Sequence, residues 1–587
     1  MSVGSVPQEG HRPATGPAAD DPACFAERIR WQSLLFAPRL ERRQLLRLRA
    51  PWPLARRRVR IHRNHAVELT LSVARPFLEF AGLAVEWELG DYDDSLAFTA
   101  SGPADAEVVW LDYARLAERL TATEIADWLI ERLTVLRSRA GGPILLLDWD
   151  GGRPQAAAFS ERVRASASGQ DIHLAERGEL FDQLGERYFD APREAITGTR
   201  MSAEGAAATA RLLGSRWLPA LLAPRARAVV VDLDNTLFDG VLGEDGADSL
   251  VLTDDHHRLH QELLALHDRG IFLGLLSRNH PDDVQALFRA RRDLGLRWES
   301  FDARSLGWGD KSGGLREVAD ALRIDPSAIV FVDDNPGELL EAALRLPGLR
   351  LIHAGPGGSA TLRALRHFPG LWVPERGEAD RLRTADVRAN ARRERLLADT
   401  GDDLGAYFRA LGVTLTVAHD HGDQLQRVAE LSSKTNQFNL AFSRYRLSEL
   451  QALAQSPAHH ISTARLEDRL TDSGVVAMAV FRREEERLLV EELCISCRAL
   501  GRRLEDLIVA QMLIGGRLEP GIQRVVFRFR DGPRNEPARR WLERLAGRQL
   551  APAAEPVSVT VPLQRLLDAA ATPDVRVVIA GDREDRR

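Results

Sequence analysis

Two aspartates stand two residues apart in Asp232-Leu233-Asp234-Asn235-Thr236, directly after the apolar run Val229-Val230-Val231. A short, wholly apolar, β-branched run is what a buried parallel strand requires. In an open parallel sheet the ligand crevice lies beyond the carboxyl ends of the strands. Residues two apart on an extended segment share a direction. A carboxylate nucleophile and an acid/base partner can therefore face one substrate; a pair of solvated loop carboxylates is the plainer reading of the motif by itself. Three further features follow in order. Ser277 ends the next strand, in Leu275-Leu276-Ser277-Arg278-Asn279. Lys311 opens a helix, so its ammonium and the helix N-terminus can both face an anion. Asp333-Asp334 ends a third strand, in Val330-Phe331-Val332-Asp333-Asp334-Asn335. Singly they read as a capping Ser, a surface Lys and an N-cap pair. Together, at strand ends and helix starts of one sheet, they supply what phosphoryl transfer asks for. That reaction needs positioning and compensation of charge, hard oxygen ligands for Mg²⁺ and a nucleophile that splits the reaction into two steps.

Spacing adds a constraint. Asp232 and Ser277 are 45 residues apart, and Ser277 and Lys311 are 34 apart. A loop, helix and strand fill the first interval, and the second is filled as well. Neither has room for a cap domain, so the site is expected to be open to a bulky substrate or to a neighbouring domain serving as lid. The cation usage points the same way. Of 79 Lys and Arg only Lys311 and Lys434 are lysine. Either chance or a need for a compact ammonium in place of a planar fork accounts for them, and both lie inside motifs.

The elements that must position these residues form an α/β, multidomain chain. Residues 1–23, rich in Gly, Pro, Ala and polar groups, read as a disordered tail. Residues 24–200 alternate strands (Val59–Ile61, Val85–Leu89, Val108–Leu111, Ile144–Leu147) with helices, an α/β layer pattern. Carboxylates Asp91, Asp93, Asp112 and Asp148 sit near its strand ends. No Gly-Asp-Ser turn or Gly-x-Ser-x-Gly elbow accompanies them, which favours a structural or docking role. Residues 201–227 read as a helical connector, 228–375 as a doubly wound unit with a parallel sheet, and 376–411 as a helical linker. Residues 412–565 run β-α-α-β-β-β-α-β-α-β, and 566–587 read as a C-terminal tail.

The four blocks around Asp232, Ser277, Lys311 and Asp333 resemble the haloacid dehalogenase (HAD) superfamily of phosphotransferases. The resemblance implies that Asp232 is the nucleophile, forming an aspartyl-phosphate, and that Asp234 is the general acid/base. It has Ser277 hydrogen-bond the phosphoryl group and Lys311 neutralise it, with Thr236 and Asn279 at the substrate. Asp333 and Asp334 help hold Mg²⁺ with Asp232 and the Asp234 carbonyl. Over residues 60–545 the chain resembles more narrowly the FkbH-like proteins, a capless HAD-IIIC subfamily. Its motif commonly reads DNTLWGGVxGEDG; here Phe238 replaces Trp and Asp239 replaces the first Gly, an added carboxylate that would weaken anion binding. Upstream, Glu194–Ser202 and the α/β region look like the leading SGNH-hydrolase-like domain of that family, with its hydrolase residues degenerate. Downstream, Ser433–Asn439 is similar to its KTNQFN block, and Cys494–Glu505 to its SCRxLGRGxE block, with Arg503 where Gly is usual.

The element order of the last third is that of a GNAT-type acyltransferase. In that fold an R-x-x-G-x-G/A loop cradles a pyrophosphate or pantetheine arm. Arg498, Gly501, Arg502 and Arg503 sit at that junction, where backbone N–H groups can hold an anion. Cys494 and Cys497 form a CxxC with no second Cys pair for zinc and no thioredoxin-like context. Cys497, placed near a helix start beside Arg498 and Arg502, reads either as a thiol of lowered pKa that carries an acyl group or as a buried structural cysteine. Lys434 and Asn436 either position a ligand or carrier or form a polar helix end.

Composition closes off other classes. The formal charge is −6, against a polyanion partner such as nucleic acid. No apolar run reaches 18 residues, against a membrane span. No signal peptide is read, and three cysteines fit a reducing cytoplasm. The family resemblance implies glyceryl loading from 1,3-bisphosphoglycerate, a phosphorylated three-carbon acid, onto the phosphopantetheine thiol of an acyl carrier protein in polyketide-type pathways. The alternatives are a plain phosphatase on another phosphorylated acid, a CoA-dependent acyltransferase and a non-catalytic carrier-protein docking scaffold.

Overall fold

The computed structural model describes residues 22–580 apart from 100–101, 150–152, 168–169, 374–377, 402, 515–520, 533 and 572–573. Nearly all of the expected leading tail lies outside the described residues. The chain divides into two compact units, Met1–Arg376 and Gly377–Arg587. Its multidomain α/β class is as expected. No helix among the described residues is long and apolar enough to cross a membrane.

The first unit holds two parallel sheets. Strands β1 (Ala55–Arg63), β2 (Leu83–Tyr92), β3 (Ala106–Trp110), β4 (Ile144–Leu147) and β5 (Ile172–Ala175) assemble in the order β2-β1-β3-β4-β5. Strands β3 and β4 are buried along their whole length, hence their unbroken apolar runs. The second sheet contains β6 (Ala228–Val231), β7 (Phe272–Ser277), β8 (Ala303–Leu306), β9 (Ile329–Asp333) and β10 (Arg350–His353), in the order β10-β9-β6-β7-β8. The chain leaves β6 toward β7 and later returns to β9 on its other flank. The topological switch point is therefore beyond the carboxyl end of β6, where a doubly wound sheet offers its ligand crevice.

One hydrophobic core serves both sheets, running from Trp31, Trp110 and Leu147 to Val229, Leu273 and Val330. The stretch 201–227, expected as a connector, is part of it. Helix Ala203–Leu212 and the π-turn Leu213–Trp217 lie so close to helix Glu68–Phe80 that a Cβ on Gly214 would meet Phe77 Cβ at 2.7 Å.

The second unit opens with helices Glu378–Thr400 and Leu404–Leu411. Its strands are β11 (Thr414–His419), β12 (His459–Glu467), β13 (Asp472–Glu484), β14 (Arg487–Ile495), β15 (Arg524–Phe529), β16 (Val557–Pro562) and β17 (Arg576–Ile579), in the order β16-β15-β14-β13-β12-β11-β17. Two expectations need correction. The stretch 376–411 is no free linker: Asp386 and Arg393 are buried, and Arg393 pairs with Asp468 at 2.7 Å. Residues 566–587 are not wholly a tail, because β17 adds to the edge of the sheet beside β11.

Strands β14 and β15 are parallel and part company. Their pairing ends at Val490 opposite Phe527. Beyond it the exposed edge of β14 is taken by the segment 438–440. Leu440 N–H donates to Leu493 O at 3.1 Å, and Ile495 N–H to Phe438 O at 2.9 Å. The Lys-Thr-Asn-Gln-Phe-Asn block thus ends inside the sheet.

Candidate active site

Asp232 is the first residue past β6, and its carboxylate is buried. Lys311, first residue of helix Lys311–Leu322, donates its ammonium to Asp232 Oδ1 and to Leu276 O at 3.3 Å. The same Nζ lies 3.3 Å from Asp333 Oδ2. Asp333 Oδ1 accepts the Asn335 N–H at 2.8 Å, while its buried Oδ2 has no well-aligned donor. Carboxylate oxygens of Asp232, Asp333 and Asp334 lie within 4.8 Å of one another. Three carboxylates thus cluster around one ammonium that reaches Asp232 and Asp333.

The electrostatics follow from that imbalance. Burial, joined by Asp333 and Asp234, pushes the Asp232 pKa up to about 7 against the pull of Lys311. Burial raises Asp333 and Asp334 too. Burial opposes the Lys311 ammonium, yet Asp232 and Asp333 together hold its pKa above the ordinary lysine value. A compact set of hard oxygens, one of them an orphaned buried carboxylate oxygen, fits a divalent cation such as Mg²⁺.

Asp234 faces different partners. Its Oδ1 accepts the Leu242 N–H at 2.9 Å and its Oδ2 the Asn279 side-chain amide at 2.6 Å. That amide also reaches Ser277 Oγ at 3.0 Å. Asn279 therefore ties the expected acid/base group to Ser277, the hydroxyl expected to hydrogen-bond the phosphoryl group.

The loop after the motif is braced from within. Asn235 takes φ +51° and its Oδ1 accepts the Gly240 N–H at 3.0 Å. Asn tolerates that left-handed conformation better than most residues. Phe238 is wholly buried in the core. Asp239 does not crowd the carboxylates as the sequence suggested. Its Oδ1 accepts the Gly357 N–H at 3.0 Å and sits 3.8 Å from His256 Nε2. Thr236, expected at the substrate, is buried, and its hydroxyl has no hydrogen-bond partner among the described residues.

His260 supports the same loop: its Nε2 bonds Leu237 O at 2.9 Å and its Nδ1 accepts the Gly295 N–H at 3.3 Å. Burial lowers its pKa to about 4. The unfolded chain titrates at about 6.5, so below that pH it takes up a proton the folded imidazole refuses. Stability is therefore lost as pH falls from 6.5 through 4, by roughly 3 kcal/mol at the acid limit. Thermal unfolding of His260→Gln against pH is expected to show a flatter acid limb than the wild type.

Beside the carboxylate cluster lies a cavity of about 220 Å³ lined by Ser277, Lys311, Leu306, Asp310 and Trp308. Trp308 is 89% exposed. The sequence reading passed over it, although an aromatic between Gly307 and Gly309, three residues before Lys311, was the available signal. Neither interval between the motifs carries an inserted domain, as the spacing suggested.

Comparison with known proteins gives only distant likeness. No protein-family model matches the sequence, and no curated protein matches it. Among solved structures the chain is similar to the N-terminal part of BF1531 from Bacteroides fragilis, described as containing a phosphatase domain complexed with Mg. The identity is 15%, covering 59% of this chain and 99% of that one, with TM-score 0.46. A putative HAD family hydrolase from Streptomyces avermitilis is 20% identical over 25% of this chain and 91% of its own, with TM-score 0.18. The GphF GNAT-like decarboxylase in complex with isobutyryl-CoA is 16% identical over 23% and 78%, with TM-score 0.17. Such likenesses assign no role to any residue.

In the second unit the expected ligand cradle is otherwise engaged. Arg498 donates to Ser473 O and to Val475 O, the latter at 3.3 Å. Arg502 pairs with Asp386, donates to Ser473 Oγ at 2.9 Å and lies 3.4 Å from Asp468. The Gly501 N–H is taken by Glu505 Oε1 at 2.7 Å. Glu505 and Asp506 occupy the first turn of helix Glu505–Ile514, where negative charge disfavours an incoming anion. Arg503, at φ +59°, is exposed. Cys494 is sealed in the core, and burial pushes its thiol well above the usual range. Cys497 is half-buried, but the guanidinium groups expected to flank it are spent elsewhere. Lys434 is exposed, 3.7 Å from Glu430, and Asn436 Oδ1 accepts from Arg444 at 2.5 Å.

At the carboxyl ends of the first sheet, polar groups are likewise tied to one another. Asp112 pairs with Arg200 at 2.6 Å, and Asp148 with Arg177 at 3.1 Å. Asn64 Oδ1 accepts the Asp112 N–H at 2.7 Å. Asn64 and His65 follow β1 directly, and both are buried.

Proposed function

We propose that the chain is an FkbH-like phosphatase and glyceryl transferase. It would draw on 1,3-bisphosphoglycerate and load a glyceryl unit onto the phosphopantetheine thiol of an acyl carrier protein. The observation that carries the phosphatase half is the meeting of Asp232, Lys311, Asp333 and Asp334 at the tip of β6. Asp232 attacks the phosphorus of the 3-phosphate ester, the ester P–O bond breaks, and the alkoxide leaves with a proton from Asp234. Water then attacks the aspartyl-phosphate, with Asp234 taking its proton. Lys311, Ser277 and Asn279 orient and neutralise the phosphoryl oxygens. Mg²⁺ held by Asp232, Asp333, Asp334 and the Asp234 carbonyl would supply further neutralisation of that charge. The acyl phosphate at the other end of the substrate is the donor for thioester formation: the thiol attacks the carbonyl and inorganic phosphate leaves. Cys497, half-buried where Cys494 is sealed in the core, is the thiol of the second unit that would serve a covalent relay.

A second reading, a plain phosphatase on another small phosphorylated acid, is favoured by the second unit. There the gap between β14 and β15 is filled by the chain itself, and acids occupy the expected anion cradle. The same features weigh against a CoA-dependent acyltransferase. Incubation with Mg²⁺, 1,3-bisphosphoglycerate and a holo-carrier protein separates them. A carrier heavier by one glyceryl group supports transfer. Phosphate release with an unchanged carrier supports the plain phosphatase, and inertness leaves the docking scaffold.

Trp308 is expected to contact whatever the phosphoryl group is attached to. Trp308→Ala should raise KM for phosphate release about tenfold with kcat little changed, the pattern of lost uniform binding. An equal fall in kcat and kcat/KM would contradict it.

A further inference from the structure

A second cavity lies at the opposite end of the second sheet from the carboxylates. It has a volume of about 770 Å³, inside the range of roughly 300–1,000 Å³ typical of small-molecule sites. It touches the first residues of three strands, Ala55 of β1, Leu83 of β2 and Arg350 of β10, and reaches Ser327 just ahead of β9. The whole of β9, Ile329–Asp333, lies between Ser327 and the carboxylates and spans about 13 Å, so the cavity is separate from the phosphoryl site.

Its walls are mainly apolar, with Phe25, Leu83 and Phe368 among them, and its charged groups are all cationic. Arg28, Arg56, Arg57 and Arg350 line it, with no Asp or Glu among the described lining residues. The Arg28 guanidinium makes no hydrogen bond or ion pair among the described residues; it rests over Trp52, 4.3 Å from the ring centroid. Arg350 donates to Pro224 O at 2.7 Å and has no carboxylate partner among the described residues. Burial holds both below their ordinary pKa, at about 10, and Arg350 further disfavours the charge on Arg28. Arg28 and Arg350 are each half-buried, and cations drawn out of water are ordinarily paired. Two guanidinium groups inside an apolar cavity without a carboxylate are matched by an anionic head on an apolar chain.

We infer that this cavity binds an amphiphile, an acyl or alkyl chain ending in a carboxylate or phosphate, with the head at Arg28 and Arg350 and the chain along the apolar wall. Isothermal titration of the full-length protein with dodecanoate, dodecyl phosphate and dodecan-1-ol tests it. Both anions, or one of them, should bind at one site at least tenfold more tightly than the alcohol. The preferred anion tells a fatty carboxylate from a phosphate-terminated arm. Arg28→Gln should cost tenfold or more in anion affinity and erase the preference over the alcohol. Ala223→Trp, which fills the cavity from a partly exposed position, should abolish binding of all three. Absence of binding to the wild type would overturn the inference. So would equal affinity for the alcohol, or undiminished anion binding by Ala223→Trp.

Discussion

Asp232→Asn is expected to lower Mg²⁺-dependent phosphate release by at least about a thousandfold, some 4 kcal/mol of barrier. The same substitution should make the metal-free protein more stable at pH 8. Both effects come from one carboxylate. Asp232 sits between Lys311 and two further carboxylates at the end of β6. An amide in its place has nearly the same shape but no anionic oxygen to attack phosphorus. It also removes a buried charge. The raised pKa of about 7 says that burial, Asp333 and Asp234 together outweigh the attraction of Lys311. A carboxyl whose folded pKa lies above its unfolded value of about 3.9 binds its proton more tightly in the folded state. Its contribution is therefore favourable at low pH and is lost as pH rises through the folded pKa. At pH 8 the ionised Asp232 is a cost that Asn does not carry. Phosphate release and thermal unfolding in EDTA, measured on one preparation, check the pair. Persistent turnover would refute the nucleophile assignment. A lowered midpoint would mean that the Lys311 pair dominates the cluster. Stability and activity moving in opposite directions is the signature of a site held under strain for a function.

The sequence made this cluster legible because each member is fixed by local rules. Val229-Val230-Val231 can only be a buried strand in such a context, and the residues after it must lie at the switch point. Lys311 and Asp333 are likewise first and last residues of elements. What escaped notice were parts whose signal is weak or non-local. Strand β8, Ala303-Arg304-Ser305-Leu306, is a half-exposed edge strand and lacks an apolar run. Strand β5 is similar, with His173 between two apolar residues. The bracing of Asp239 by Gly357 spans 118 residues, and no spacing rule reaches that far. Arg498 and Arg502 were misjudged for the opposite reason. A local pattern, Arg-x-x-Gly-Arg, suggested an anion cradle. Arg498 instead donates to the Ser473 and Val475 carbonyls, and Arg502 answers to Asp386 and Asp468, 116 and 34 residues away. A buried acid far along the chain overrides what the loop alone would suggest.

That contest can be decided by Arg502→Met. If Arg502 belonged to a ligand cradle, its loss would leave the fold intact and weaken capture of a pantetheine arm. The geometry predicts the reverse. Arg502 and Arg393 together neutralise Asp386 and Asp468, all four buried, with Ser473 completing the network. Methionine fills much of the space but leaves two buried carboxylates with one guanidinium. Removing one partner of such a set typically costs about 3–5 kcal/mol, because an uncompensated charge is left behind. The loss should appear as earlier unfolding of the full-length protein. Faster amide exchange should accompany it in helix Glu378–Thr400 and in β13, the elements that Arg502 joins. Arg503→Gly is the matched contrast. Arg503 is one position further along, exposed, and held at φ +59°, where a side chain is strained and glycine is not. Its replacement should be neutral or stabilising by about 1 kcal/mol. Unchanged exchange in Arg502→Met would return that arginine to the ligand side of the argument. A large loss there beside none in Arg503→Gly would place the arginine-rich turn within the architecture of the second unit.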